Sequence, residues 1–263
     1  LGTTRMALSP DKNLRGHFHG TTACLSALYA AERHDDLLEV LKEETFWPYK
    51  RWAVKALAAR GKKADAIRLA EASRSPWASD WDIDRLCEEM LFSSGMVEEA
   101  YARYGLRANR GGTYLATFRA VAKKYPHKSA SDILADLVKT TPGDEGKWFA
   151  AAKEAGLFKD ALTLAERTPC DPKTLTRAAR DHAEDQPDFA LGAGLLALYW
   201  LVQGYGYEIT SADVWAAYSS TMKVAERMGK VDETRDNIRK MAASVQDGTS
   251  FVARILGREL GLP

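Results

Sequence analysis

Four segments of the chain align without gaps around one glycine: LAARGKKADAIRLA, LFSSGMVEEAYARY, AAKEAGLFKDALTLA with a one-residue offset, and AERMGKVDETRDNI. The shared glycines are Gly61, Gly95, Gly156 and Gly229, and five residues after each stands a small side chain, Ala66, Ala100, Ala161 or Thr234. A glycine without a Cβ can take the left-handed conformation that closes a helix C-terminus. The small residue lets a second helix begin at once and approach the first closely. Internal repetition of this kind limits the fold more than any other signal, because each unit buries its apolar face only by stacking on its neighbours.

Gly61 and Gly95 are 34 residues apart, whereas Gly95 and Gly156 are 61 apart, which leaves room for one more pair of helices. That pair reads as 113–124 and 129–138, with Tyr125-Pro126-His127-Lys128 as the turn and proline as the breaker. A pair at 21–33 and 35–44 turns at His34-Asp35, and 174–181 with 188–203 is broken around Pro187. About seven hairpins result, with helices of about 10 to 16 residues. Asp80, Ser131 and Ser211 are placed as N-caps. Ile67, Leu69 and Ala70, then Leu86, Met90 and Leu91, follow helical spacing, and no segment alternates as a strand would. The expected class is all-α.

The glycine, the small residue five positions on and the period near 34 resemble tetratricopeptide repeats, over roughly residues 21–243. The bulky residue that this family places about four before the turn glycine is matched by Leu57 and Leu91, with Ala152 and Ala225 in the other two segments. The resemblance implies a right-handed superhelical array of antiparallel helix hairpins over 21–245. A lead-in segment would occupy 1–20 and a capping helix 246–263. It also implies a non-enzymatic scaffold that binds a protein or peptide partner in a concave groove.

Composition narrows the function classes. Across 263 residues, 46% are apolar and 28% charged, which suits a chain with a sizeable core. Basic and acidic residues number 37 and 36, so no global excess favours nucleic acid. Three scattered cysteines, Cys24, Cys87 and Cys170, imply neither a disulfide framework nor a zinc knuckle, and a reducing, cytoplasmic setting is the expectation. The most apolar stretch, Phe189 to Val202, is shorter than the about 20 residues a bilayer requires, so it reads as a buried helix and no membrane partner is expected. Because the chain begins at Leu1 and not at methionine, it is expected to be a processed piece with an N-terminal region missing.

No catalytic constellation stands out, and neither a metal nor a cofactor is expected. His17 and His19 could supply two zinc ligands, but a third is not identifiable. Asp80, Asp82 and Asp84 begin like a calcium loop, yet Arg85 stands where glycine is required and Leu91 where glutamate belongs. Gly192 and Gly194 match a dinucleotide fingerprint only as letters, so close helix packing explains them better. Glu43-Glu44 and Glu88-Glu89 read as solvated faces.

A binding face can be projected. In stacked helix pairs the first helix of each pair lines the concave side. Counting back from the turns selects Arg51 and Lys55, then Arg85, Glu89 and Phe92, then Arg119 and Lys123, then Lys153, Lys223 and Glu226. This stripe is basic and would attract an acidic segment. Trp47 and Tyr49, in a turn beside Pro48, are expected to be exposed anchors for the same partner. The alternatives are nucleic-acid binding by the same cations, or an accessory domain of a larger enzyme.

Overall fold

A computed structural model describes residues 2–9, 11, 18–76, 79–244 and 251–261; His17, one of the two candidate zinc ligands, lies outside the described residues. Helix accounts for well over half of them, and no strand occurs among them. The chain forms two compact units, residues 1–110 and 111–263, where the repeat pattern places divisions after residues 20 and 245.

The first unit holds α1 (Gly2–Ala7), α2 (Thr21–Ala30), α3 (His34–Val40), α4 (Trp47–Ala59), α5 (Lys63–Ala72) and α6 (Asp80–Phe92). It closes with α7 (Val97–Ala100), a π-helical turn (Tyr101–Gly105) and α8 (Leu106–Ala108). The helices touch as successive pairs, α2 with α3, α4 with α5, and α6 with α7 and α8. Leu25, Leu37, Leu41 and Ala53 fill one core. Val54, Ile83, Cys87 and Tyr104 fill the next. Both clusters draw on α4, so its two sides join neighbouring pairs.

The second unit holds α9 (Tyr114–Lys124), α10 (Ala130–Lys139), a 3-10 turn (Glu145–Trp148), α11 (Phe149–Glu154) and α12 (Phe158–Arg167). There follow α13 (Pro172–Asp181), α14 (Pro187–Val202), α15 (Ser211–Arg227), α16 (Val231–Ala243) and α17 (Phe251–Leu260). The pairs α9–α10, α11–α12, α13–α14 and α15–α16 each pack together, and α17 rests on α14, α15 and α16. The segment expected as a buried helix is α14, which buries Phe189, Leu198 and Leu201. Its glycines serve close packing. A Cβ on Gly194 would lie 2.3 Å from Thr221 Oγ1 of α15, and one on Gly192 would lie 2.8 Å from Leu162 Cδ1 of α12.

The four turn glycines behave alike. Gly61, Gly95, Gly156 and Gly229 stand at φ of 77°, 76°, 72° and 67°. The N–H one residue later reaches five back, from Lys62 to the Leu57 carbonyl (2.9 Å), Met96 to Leu91 (3.0 Å), Leu157 to Ala152 (2.9 Å) and Lys230 to Ala225 (2.8 Å). The glycine N–H bonds three back in every case. These are Schellman closures, which satisfy the orphan carbonyls of a helix end. Gly204 closes α14 in the same way, and so does Glu32 after α2, at φ 55° without being glycine. The expected turn at His34-Asp35 therefore lies two residues earlier, and His34 already belongs to α3.

Several local expectations shift by one or two residues for a common reason. A capping oxygen must precede the N–H that it accepts from by two or three residues. Ser79, not Asp80, accepts from Asp82 N–H at 3.3 Å, and Ser129, not Ser131, accepts from Asp132 N–H at 3.0 Å. Thr210, not Ser211, forms a capping box with Asp213. Pro187 begins α14, since its missing N–H would have no partner in a first turn anyway.

Candidate functional site

The positions projected onto first helices in the first unit fall on α4 and α6. Arg51 and Lys55 stand one turn apart on α4, and both lie over the Trp52 ring, at 5.8 and 4.9 Å from its centroid. Trp52 itself is buried and packs against Tyr29. On α6, Arg85 lies over the exposed Trp81 ring at 5.4 Å and pairs with Glu89 at 3.2 Å. Phe92 is exposed two turns further on. One ion pair joins the two helices, Arg51 Nη1 to Asp82 Oδ2 at 3.9 Å. The strip thus holds two indoles under cations, the buried Trp52 and the exposed Trp81, and an exposed Phe92, with Asp82 and Glu89 supplying counter-charge.

Trp47 is not an exposed anchor. It is 4% exposed and belongs to the core with Val54 and Ile83, because the first residue of α4 points its indole inward while Pro48 sets the helix start. Phe46, the residue before the helix, takes the exposed place at 49%. Tyr49 is half-buried and meets the Phe46 ring edge-on at 5.3 Å.

Arg119 and Lys123 belong to the second unit, on α9. Arg119 forms a two-pronged pair with Glu154 of α11, Nε to Oε1 at 2.6 Å and Nη2 to Oε2, so its charge is largely answered from the neighbouring first helix. Lys123 is exposed. A groove of about 300 Å³ lies elsewhere in this unit, between α10 and α12, over Leu134, Val138 and Leu164, with Lys139 and Arg167 among its lining.

A second cluster in the first unit went unread in the sequence. Asp84 is 1% exposed and Glu88, one turn on, is fully buried, although Glu88-Glu89 reads as a solvated pair. Arg107 grips Asp84 with Nε to Oδ2 at 2.8 Å and Nη2 to Oδ1 at 3.0 Å, and Arg74 adds a further contact to the same carboxylate. Asn109 Nδ2 donates to Glu88 Oε1 at 2.5 Å. Beside them, the Tyr104 hydroxyl donates to Glu71 Oε1 at 2.6 Å, and Arg103 bridges Glu71 and Glu99.

Burial works against the charged form of Asp84, yet the hydrogen bonds from Arg107 and Arg74 outweigh it and hold the carboxyl below its usual range. The Tyr104 hydroxyl is the first cause of the downward shift of Glu71. Burial pushes the Cys87 thiol up to about 11, which leaves it protonated and unreactive at neutral pH. Each of these carboxylates accepts from at least one donor, and Asp84 and Glu71 from two side chains each. Among the described residues, no group of three or more His, Cys, Asp or Glu is placed to hold a metal ion, and no helix is long and apolar enough to cross a membrane. Comparison of the chain with protein-family models, with curated proteins and with solved structures returns no match.

Proposed function

We propose that the helix pairs form a tetratricopeptide-like superhelical scaffold, non-enzymatic, whose first-helix face on α4 and α6 receives a peptide or protein segment carrying acidic and apolar side chains. One observation carries the reading: Trp81, 44% exposed, and Phe92, 37% exposed, flank Arg85 on the α6 surface beside Arg51 and Lys55 of α4. Tryptophan and arginine are the residue types that most often dominate interfaces, and an arginine stacked on an indole is already ordered for contact. The lateral pairs Arg51–Asp82 and Arg85–Glu89 keep the cations in place without cancelling all of them. Lys55 adds a further positive charge on the same face.

A displayed library of random peptides, selected against the whole protein, tests this directly. The expected outcome is enrichment of sequences that place Asp or Glu beside an aromatic or aliphatic residue. Arg51→Glu with Arg85→Glu should reduce retention of the selected peptides at least tenfold while helicity by circular dichroism is unchanged. Enrichment that the double variant leaves intact would move the binding face elsewhere, and no enrichment at all would end the reading.

A further inference from the structure

The π-helical turn Tyr101–Gly105 is the one irregularity in an otherwise regular helix hairpin of the first unit. Such a turn carries one extra residue, so every residue after it sits where its predecessor would in a continuous α-helix, turned back by about 100° and set back by about 1.5 Å. In the observed register Arg107 and Asn109 both face α6. Arg107 holds Asp84 and also donates from Nη2 to the Arg103 carbonyl at 3.1 Å. Asn109 holds Glu88 and also donates from Nδ2 to the Gly105 carbonyl at 2.7 Å. The two side chains that follow the turn therefore satisfy the buried acids and cover carbonyls of the turn itself.

A continuous α-helix would hand each direction to the preceding residue. Leu106 would face Asp84, and Ala108 would face Glu88. Asp84 would then keep only its contact from Arg74, and Glu88 would lose the bond from Asn109, while both stay desolvated, which is unfavourable for the charged form. Neutral side chains at 84 and 88 would carry far less of that penalty. The register of the helix after residue 101 is thus chosen by what stands on α6.

We propose that Tyr101–Asn109 is a two-register element, locked in its π register by Asp84 and Glu88, and able to revert to α when those acids lose their charge or their partners. Tyr104 sits in the turn, fully packed, with its hydroxyl on Glu71 and beside Cys87. Reversion turns Tyr104 away and uncovers the Cys87 thiol. Arg107, whose side chain is 62% exposed, is the member of the lock that a partner's anion can reach from solvent.

The test uses the full chain and two readouts, the rate at which N-ethylmaleimide alkylates Cys87, followed by mass spectrometry, and amide exchange over residues 101–109. Asp84→Asn with Glu88→Gln is expected to raise both at least tenfold while the rest of the first unit stays protected. Deleting the exposed Ala102 removes the extra residue, so α7 continues into α8 as plain α-helix with Arg107 and Asn109 still on their acids. That deletion alone is expected to fold, and combined with the double substitution it should restore protection to within about twofold of the native rate. Should the double substitution unfold the chain as a whole, Asp84→Asn alone serves in its place. Unchanged protection in the substituted chain overturns the proposal, because the acids then hold nothing. Continued lability after the deletion overturns it too, because the loss is then simple loosening without a second register. A deletion that fails to fold has the same force.

Discussion

At Gly156 the backbone stands at φ 72°, and a Cβ there would meet nothing within 4 Å. A substitution is therefore opposed by backbone strain alone, without a clash. Gly156→Val should cost on the order of 1 kcal/mol or more, read as a melting temperature lower by several degrees. Glu32 offers the converse. It holds the same closure at φ 55°, so Glu32→Gly relieves a strained residue and should raise stability by up to about 1 kcal/mol in urea titration. The two experiments also show how far the turns were legible. Glycine stands at five of these closures, Gly204 included, but the sixth hides behind a glutamate because a side chain can be forced into the left-handed region by its surroundings. A second signal was available and unused. Four residues after each closing residue that leads straight into another helix stands an acid, Asp36, Asp65, Glu99, Asp160 or Glu233, which is the third position of that helix. There it meets the positive end of the helix dipole, and Asp36 follows Glu32 in the same register.

At the scale of helices, Gly194 and Asp84 carry the sharpest expectations. Thr221 is fully buried with its hydroxyl on the Ala217 carbonyl at 2.7 Å, so it cannot make way for a methyl group on α14. Gly194→Ala should destabilise by about 1–3 kcal/mol, and adding Thr221→Ala should recover part of that loss, a non-additivity that a double-mutant cycle in urea would measure. For Asp84 the folded carboxyl titrates below its unfolded value. Its contribution is complete above the unfolded range near pH 4, and it disappears as pH falls through the lower folded value. Asp84→Asn should destabilise the first unit at neutral pH and flatten the acid side of its stability profile below about pH 4. An acid limb as steep as the native one would assign that loss to other carboxylates. Helix-level reading missed this cluster for a geometric reason. Arg107 and Asn109 reach Asp84 and Glu88 only after a π turn has moved their phase, and a count at 3.6 residues per turn points both elsewhere.

Across the whole chain, the all-helical class was legible because turn glycines and apolar spacing agree, whereas the division into two units was not. The step from Ala108 to Tyr114 looks in sequence like any other link between hairpins. Charge matching was hidden as well, since the acids that answer Arg51 and Arg119 come from neighbouring helices and no single helix displays them. Residues 1–110 and 111–263 each have their own core, so each fragment expressed alone should give a helical circular dichroism spectrum and a cooperative melt. A fragment that stays unfolded would show that its unit depends on the other. The short closures reach further than shape. With only three or four residues between one helix and the next at Gly61, Gly95, Gly156 and Gly229, partners meet while they are still neighbours along the chain. Closing so small a loop takes well under a microsecond, whereas a ribosome adds only about 5–20 residues per second. Each hairpin can therefore be finished long before the next is made, and the protein can assemble in the order of its synthesis, one pair at a time from the N-terminus.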